Sequence, residues 1–188
     1  MDWKKPRVLM YHMVREHIPG AKFNKLRVKP AEFEKQVVWM KQNGFNFVTM
    51  QQLEDHWGQH PEKTVAITFD DGYLDNLEQA FPILKKYNVP ATIYVVVDRH
   101  ERDWSTYKKA HHNSGELMRE AKLTDEQVVL LAESGLIEIG SHTLTHANLA
   151  QLDDKECLTE LVQSKQLLEQ MINKPVNSFA YPFGIYSA

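Results

Sequence analysis

Val65-Ala66-Ile67-Thr68-Phe69-Asp70-Asp71-Gly72 is the stretch that decides how this chain is interpreted. An apolar run rich in β-branched residues is typical of a buried strand. Two carboxylates follow at its end, and burying an unpaired charge is costly, so their position requires a reason. Gly72 allows a sharp turn, which predicts that both carboxylates lie near the mouth of the strand.

The two aspartates are expected to have different roles. Neighbouring residues of a strand point to opposite faces of the sheet, so Asp70 and Asp71 should meet different surroundings. A purely structural alternative is that one of them is the N-cap of the next helix, since aspartate is a preferred cap and Asp-Gly sequences are common in turns. The rest of the chain favours a chemical role.

The composition is that of one globular domain over residues 1–188. The 188 residues, of which 43% are hydrophobic, suffice to bury a substantial core. A formal net charge of -3 argues against a nucleic-acid-binding surface. No apolar stretch is long enough to span a bilayer, and the first residues lack the apolar region of a signal peptide.

Apolar strands and amphipathic helices alternate along the chain. Strands are predicted at residues 7–12, 45–49, 65–69, 91–97, 137–140 and 178–181. The main helices are predicted at residues 31–42, 74–87, 125–134 and 153–172. This order predicts parallel βα units and an α/β fold. Residues 98–120 form a polar insertion, in which Trp104 and Tyr107 are expected either to stack on sugar rings or to anchor the loop.

Unusual polar residues fall at the carboxyl ends of the predicted strands. His12 ends the first strand, Asp70 and Asp71 follow the third, and His142 follows the fifth. The segment 181–184, Tyr-Pro-Phe-Gly, follows the sixth. In a parallel barrel or open sheet, this edge is where chemistry is built. The convergence of these residues on one edge predicts an enzyme.

His142 and His146 are spaced i, i+4. If this segment is one helical turn, both imidazoles lie on the same face. A carboxylate from another strand would then complete a site of two histidines and one aspartate with an open position, as in catalytic zinc sites. The alternative for this spacing alone is a capped turn with two solvated histidines. The Asp-Asp-Gly strand supplies the missing ligand and favours the metal site.

Three segments together resemble the polysaccharide deacetylase (NodB-homology) family, the fourth family of carbohydrate esterases. They are Thr68-Phe69-Asp70-Asp71-Gly72, the His142/His146 pair and Tyr181-Pro182-Phe183-Gly184, in the order of that family's first three motifs. The resemblance covers most of the chain from Arg7 onward. It implies a distorted parallel (β/α) barrel that removes N- or O-acetyl groups from a polysaccharide.

The resemblance also implies a role for each motif residue. Asp70 would be the catalytic base. The ligands of one divalent metal ion, usually zinc with cobalt or nickel as alternatives, would be Asp71, His142 and His146. The substrate-binding residues would be Tyr181, Pro182 and Phe183. The backbone N–H of Phe183 would stabilise the oxyanion.

Two departures from the family pattern point to a permuted branch. Ala180 stands where the third motif usually has an arginine, and the later motifs, with their general-acid histidine, have no counterpart. Deacetylases of poly-β-1,6-N-acetylglucosamine resemble a circular permutation that carries this histidine on an early strand. Residues 8–12 resemble that strand, so the resemblance assigns the general acid to His12; the alternative is a hydrogen-bonded histidine at a strand end. One or two further C-terminal βα units would complete the barrel.

The expected activity is metal-dependent removal of N-acetyl groups from an N-acetylglucosamine-containing polysaccharide. Two alternatives stay open: a catalytically incomplete carbohydrate-binding domain, and a metal-dependent hydrolase of another ester or amide. The family resemblance implies action outside the cytoplasm or at the cell envelope, with a polysaccharide and no nucleic acid as partner. The sequence specifies neither the linkage of the polymer nor an oligomeric state.

Overall fold

The computed structural model describes residues 4–103 and 115–186. The strands are β1 (Arg7–Tyr11), β2 (Met13–Val14), β3 (Arg27–Val28), β4 (Asn46–Val48), β5 (Thr64–Phe69), β6 (Ala91–Val95) and β7 (Ile137–Ser141). The helices are α1 (Pro30–Gln42), α2 (Met50–Asp55), α3 (Phe81–Tyr87), α4 (Glu116–Arg119), α5 (Asp125–Glu133) and α6 (Asp154–Ile172). The alternation of strands and helices confirms the predicted α/β class.

A parallel sheet of five strands organises the fold. Its order is β1-β5-β6-β7, and β4 also pairs with β5. Along one edge, β1 pairs with β5 from Arg7↔Val65 to Tyr11↔Phe69. On the other edge of β5, β4 pairs with the first half of the strand, and β6 pairs with the last two residues. Because β5 is enclosed on both edges, all of its residues are buried, as its apolar sequence predicts.

The two faces of the sheet differ in character. Ile67 and Ile93 belong to the main hydrophobic core, together with apolar side chains of α1, α3, α5 and α6. Because side chains alternate along a strand, Met10, Thr68 and Tyr94 lie on the opposite face. Met10 is 64% exposed. The second face is therefore open along β1, whereas Thr68 and Tyr94 on the neighbouring strands are buried, and it leads to the carboxyl edge where the polar residues gather.

The prediction of a strand at residues 178–181 is wrong in length, because the structure has only an isolated bridge there. Among the described residues of that segment, Phe179 alone forms a bridge, to Ser141 at the end of β7. Ser141 donates to the carbonyl of Ser178 at 2.9 Å, and Ala180 donates to the carbonyl of Ser141 at 3.0 Å. Pro182 follows and has no N–H to donate, so the ladder stops. The segment still lies beside β7, which places residues 181–184 at the carboxyl edge.

Two further local differences have identifiable causes. The loop predicted after residue 12 contains the parallel pair β2 and β3, because Met13 and Val14 are apolar and fully buried. The helix predicted over 74–87 begins as a π-helical turn, Asn76–Ala80. Phe81 donates to the carbonyl of Asn76 there, and Pro82, which has no N–H for an α-helical bond, comes next.

The sheet is open within the described residues, between β1 at one end and the bridge at Phe179 at the other. A closed barrel and additional βα units stay predictions. None of the helices in the described ranges combines the length and the apolar character needed to cross a bilayer.

Candidate active site

A cavity of about 540 Å³ opens at the carboxyl edge of the sheet. It is lined by every residue predicted for the site except Pro182, namely His12, Asp70, Asp71, His142, His146, Tyr181 and Phe183. Pro182 is buried at the start of a 3-10 turn, Pro182–Gly184, and does not line the cavity. The structure thus brings together residues that directly follow β1, β5 and β7 and residues of the segment after Phe179.

The turn after β5 directs the two aspartates. β5 ends at Phe69, and the amide of Asp70 extends the pairing by donating to the carbonyl of Tyr11 at 3.0 Å. Asp71 has a φ of 77° and Gly72 a φ of 72°, so the chain turns through two left-handed residues. A positive φ is uncommon for a residue with a Cβ and marks a constrained position. The helix-cap alternative is wrong, because Asp75 occupies the N-cap position of the next helical turn.

Asp71, His142 and His146 form a buried cluster whose candidate ligand atoms all lie within 4.8 Å of one another. Oδ1 of Asp71 is 3.4 Å from Nε2 of His142 and 3.2 Å from Nε2 of His146. One carboxylate oxygen therefore faces two imidazole nitrogens. The three side chains are close enough to bind a single ion.

The tautomer of His142 shows that this cluster fits a cation. Nδ1 of His142 lies 2.9 Å from the carbonyl oxygen of Ala180. A carbonyl can only accept, so Nδ1 carries a proton, and in the neutral imidazole Nε2 then presents a lone pair toward Asp71. Within the described residues, Oδ1 of Asp71 has no donor in hydrogen-bond geometry. Two such atoms that face each other in a buried site are satisfied by a proton or a metal cation between them, and two imidazoles with one carboxylate form a donor set of catalytic zinc sites.

The segment from His142 to His146, here called the histidine loop, is not helical. The expectation of one helical turn is therefore wrong. Thr143 has a φ of 70° and His146 a φ of 60°, and these two left-handed residues fold the loop back on itself. The two imidazole rings lie 4.9 Å apart at an angle of 67°. An irregular loop brings the histidines together.

The pKa values of the two aspartates are shifted in opposite directions. Burial by itself would raise the pKa of Asp71, but the imidazoles of His142 and His146 outweigh it and hold that pKa well below its ordinary value. For Asp70, burial dominates and raises the pKa, although His142 and His12 oppose the rise. Asp71 therefore stays ionised and suits a cation, whereas Asp70 has the higher affinity for a proton.

The position of His12 is fixed through its backbone. Its carbonyl accepts a hydrogen bond from Nδ2 of Asn76 at 2.8 Å. Two residues later, the amide of Val14 donates to Oδ1 of Asp75 at 3.0 Å. The side chain of His12 is half-buried and lines the cavity that contains Asp70 and the cluster of Asp71, His142 and His146. His12 thus enters the site from β1.

The segment after Phe179 forms one wall of the cavity. Phe183 has a φ of 62°, and its ring lies edge-on to His146, with 4.6 Å between the ring centres. Gly184 donates to the carbonyl of Tyr181 at 3.0 Å and closes the turn. Tyr181 is 48% exposed, and its ring lies 5.7 Å from that of Tyr186. The wall therefore has a half-buried part, Phe183, beside the cluster and an exposed aromatic rim.

Some lining residues were missed in the sequence. Met10, Thr68 and Tyr94 line the cavity, and the alternation of β1, β5 and β6 could have identified them. Phe23 and Lys25 reach the cavity from the loop before β3, where no periodic pattern exists to indicate it. Trp104 and Tyr107, predicted at the rim, lie outside the described residues.

Comparison with known proteins identifies the same family as the sequence motifs. The polysaccharide deacetylase family matches residues 58–188. The Bacillus subtilis protein YxkH is 34% identical over 183 residues, which are 96% of this chain and 57% of that protein. A poly-β-1,6-N-acetyl-D-glucosamine N-deacetylase from Staphylococcus epidermidis is 27% identical over 94% of this chain and 64% of its own length.

The fold is shared with a solved structure. The crystal structure of a polysaccharide deacetylase from Bacillus cereus superimposes with a TM-score of 0.78 at 30% identity, over 97% of this chain and 52% of that one. The chain thus spans between about half and two thirds of the length of these relatives. The family match and the relative at 34% identity lead to one conclusion. The chain belongs to the polysaccharide deacetylase family.

Proposed function

We propose that this chain hydrolyses the N-acetyl groups of an N-acetylglucosamine-containing polysaccharide with the help of one divalent metal ion. One observation carries the proposal: a carboxylate, two imidazoles, a second carboxylate and a third imidazole meet in one cavity. Hydrolysis of an amide needs an activated water, a proton acceptor and a proton donor to the leaving amine. The five side chains can supply these functions.

Asp71, His142 and His146 are the residues that would hold the ion. Zinc fits their two nitrogens and one oxygen, and cobalt or nickel are the alternatives. When bound, the ion would supply Lewis acidity toward water and toward the acetyl carbonyl. The hydrogen bond from His142 to Ala180 orients one ligand, as outer contacts commonly do for metal-bound histidines.

Asp70 is proposed as the base. It lines the same cavity, and burial raises its pKa, which gives its carboxylate a stronger pull on a proton than a solvated aspartate has. Asp70 would take a proton from the attacking water and retain it while the C–O bond forms. The backbone N–H of Phe183 would donate to the carbonyl oxygen as negative charge develops there.

His12 is proposed as the acid. When the C–N bond breaks, the leaving sugar amine needs a proton, and a protonated His12 would donate it. Acetate and a free glucosamine amine would be the products. The family match begins at residue 58, so this role draws on the placement of His12 in the cavity and on the Staphylococcus epidermidis relative, which covers 94% of the chain.

A polymer of N-acetylglucosamine is the proposed substrate, with the β-1,6 linkage named for the Staphylococcus epidermidis relative as the first to test. Exposed Tyr181 at the rim offers a flat surface for a neighbouring sugar ring. Because such polymers occur outside the cytoplasm, we propose that the protein acts there or at the cell envelope.

Acetate release from N-acetylglucosamine oligomers tests the proposal. Metal-stripped protein is assayed on β-1,4 and β-1,6 oligomers, with and without added zinc. We expect zinc-dependent acetate release from at least one of them. Oligomer binding without acetate release, with zinc bound, would instead indicate a carbohydrate-binding domain. Activity confined to simple esters would indicate another metal-dependent hydrolase.

A further inference from the structure

We propose that Glu160, on α6, is a positioning residue for the histidine loop. This inference rests on the proposed function, because it concerns how the same site holds its ion. Glu160 does not line the cavity formed by the described residues, so it would contact neither the ion nor the substrate. It would act through the loop backbone by setting the position of His146 relative to His142.

The carboxylate of Glu160 accepts hydrogen bonds from the middle of the loop. Oε2 accepts from the backbone N–H of Leu144 and from that of Thr145, each at 2.9 Å. Oε1 accepts from the hydroxyl of Thr145 at 2.7 Å. Glu160 is only 9% exposed, so water competes little for these donors. Hydrogen bonds to an ionised acceptor are stronger than those between neutral groups.

The loop needs such support because its conformation is not intrinsically favoured. Thr143 is β-branched and has a φ of 70°, and His146 has a φ of 60°. Residues in this region persist only where their surroundings fix them. The adjacent N–H groups of Leu144 and Thr145 point at one carboxylate, an arrangement that favours an anion over a neutral acceptor.

The two halves of the loop are held from different sides. The amide of His142 donates to the carbonyl of Val95 at 3.0 Å. The carbonyls of Thr143 and Leu144 accept from Val97 at 3.3 Å and from Asp98 at 2.8 Å. These contacts tie the loop as far as the carbonyl of Leu144 to β6 and the residues after it. Glu160 reaches Thr145, which directly precedes His146. Loss of the carboxylate should therefore displace His146 more than His142 and distort the site.

Cobalt(II) binding provides the test, because its visible spectrum reports coordination geometry independently of catalysis. Metal-stripped wild type, Glu160→Gln and Glu169→Gln are titrated with cobalt. Glu169 is the matched control: it lies on the same helix, pairs with Lys165 at 2.9 Å and accepts from the amide of Val176 at 3.0 Å, away from the loop.

We expect Glu160→Gln to bind cobalt about tenfold to a hundredfold more weakly than wild type, with a changed visible spectrum. Glu169→Gln should show wild-type affinity and spectrum even if its melting temperature falls. Equal affinity and spectrum for Glu160→Gln and wild type would overturn the positioning role, as would the same change in both variants.

Two further outcomes keep the test decisive. If Glu160→Gln does not fold, Thr145→Val takes its place, because it removes only the hydroxyl bonded to Oε1. Weaker cobalt binding at an unchanged melting temperature would support the proposal, and wild-type binding would overturn it. Wild-type protein that binds no cobalt would contradict the proposed metal site itself, whereas an unaffected Glu160→Gln contradicts only the role of Glu160.

Discussion

The backbone carbonyl of Ala180 accepts a hydrogen bond from Nδ1 of His142, with 2.9 Å between the two atoms. By the resemblance to the family, the third motif would usually place an arginine side chain at the position of Ala180. The backbone of Ala180 takes part in the site, because its carbonyl holds the proton of His142 on Nδ1 and turns Nε2 toward Asp71. A substitution at Ala180 that keeps the backbone in place should therefore leave metal binding intact.

The two aspartates should separate metal binding from catalysis. Asp71→Asn should lose the ion, because a neutral amide oxygen replaces the anion in a buried three-residue cluster. Asp70→Asn should keep the ion and lose about 10²–10⁴-fold in rate, the usual contribution of a general base. Metal content by mass spectrometry and acetate release are measured on both. If Asp70→Asn loses the ion and Asp71→Asn keeps it, the assigned roles are reversed.

His12→Ala should discriminate between substrates. An amide needs protonation of its leaving amine, whereas an aryl acetate releases a stable phenolate without that help. We expect His12→Ala to bind metal normally, to lose most activity on N-acetylated sugars and to retain much of any activity on an aryl acetate. His56→Ala, at an exposed histidine on the protein surface, is the control. Equal losses on both substrates, together with a lower melting temperature, would make His12 a structural residue.

Asp75 should make stability depend on pH. Burial raises its pKa from 3.8 to about 6, despite the hydrogen bond from the amide of Val14. Because the folded state binds this proton more tightly than the unfolded state, protonation of Asp75 stabilises the fold. This contribution to the free energy of unfolding is full below about pH 4 and is lost as pH rises through about 6. Two pKa units correspond to about 2–3 kcal/mol. The free energy of unfolding of Asp75→Asn, relative to that of wild type, should therefore rise by this amount between pH 4 and pH 7.

Unfolding of both proteins in urea, with a chelator present, measures this gain. Any pH-independent cost of the Asn side chain cancels when the two pH values are compared. A stability difference between variant and wild type that stays constant across the range would show that Asp75 does not titrate there.

Gly140 should tolerate no side chain. A Cβ at this position would lie 2.5 Å from the ring of Tyr94 and 2.7 Å from Oγ of Ser178. Gly140→Ala should lower the free energy of unfolding by about 1–3 kcal/mol through overpacking. The same substitution in a Tyr94→Ala background should cost less, because the ring is gone. An equal cost in both backgrounds would mean that the clash with Tyr94 is not the cause.

The sheet and the chemical edge could be predicted because both depend on local patterns. β5 is mostly apolar, buried throughout and enclosed on both edges, and Asp70 and Asp71 follow directly after it. Alternation of strands and helices implies a parallel sheet, and a parallel sheet gathers the ends of its strands at one edge. His12, Asp70 and His142 could therefore be assigned to one site without coordinates.

The parts that escaped prediction depend on contacts distant in sequence. The spacing of His142 and His146 fits a helical turn, but the observed loop is stabilised by Glu160, which lies in a helix further along the chain. Glu160 lies on the same buried face of α6 as Ser164 and Leu168. A carboxylate at such a position is the one sequence feature that could have indicated a buried partner.

A zinc titration with acetate release measured at each step tests the central claim most directly. Metal-stripped wild-type protein is mixed with increasing zinc and assayed on a β-1,6-linked N-acetylglucosamine oligomer, with Asp71→Asn in parallel. We predict no release without zinc, a rise that saturates near one zinc per chain, and no rise for Asp71→Asn. Equal acetate release by wild type with and without zinc, or a wild-type response in Asp71→Asn, would contradict metal-dependent deacetylation at this site.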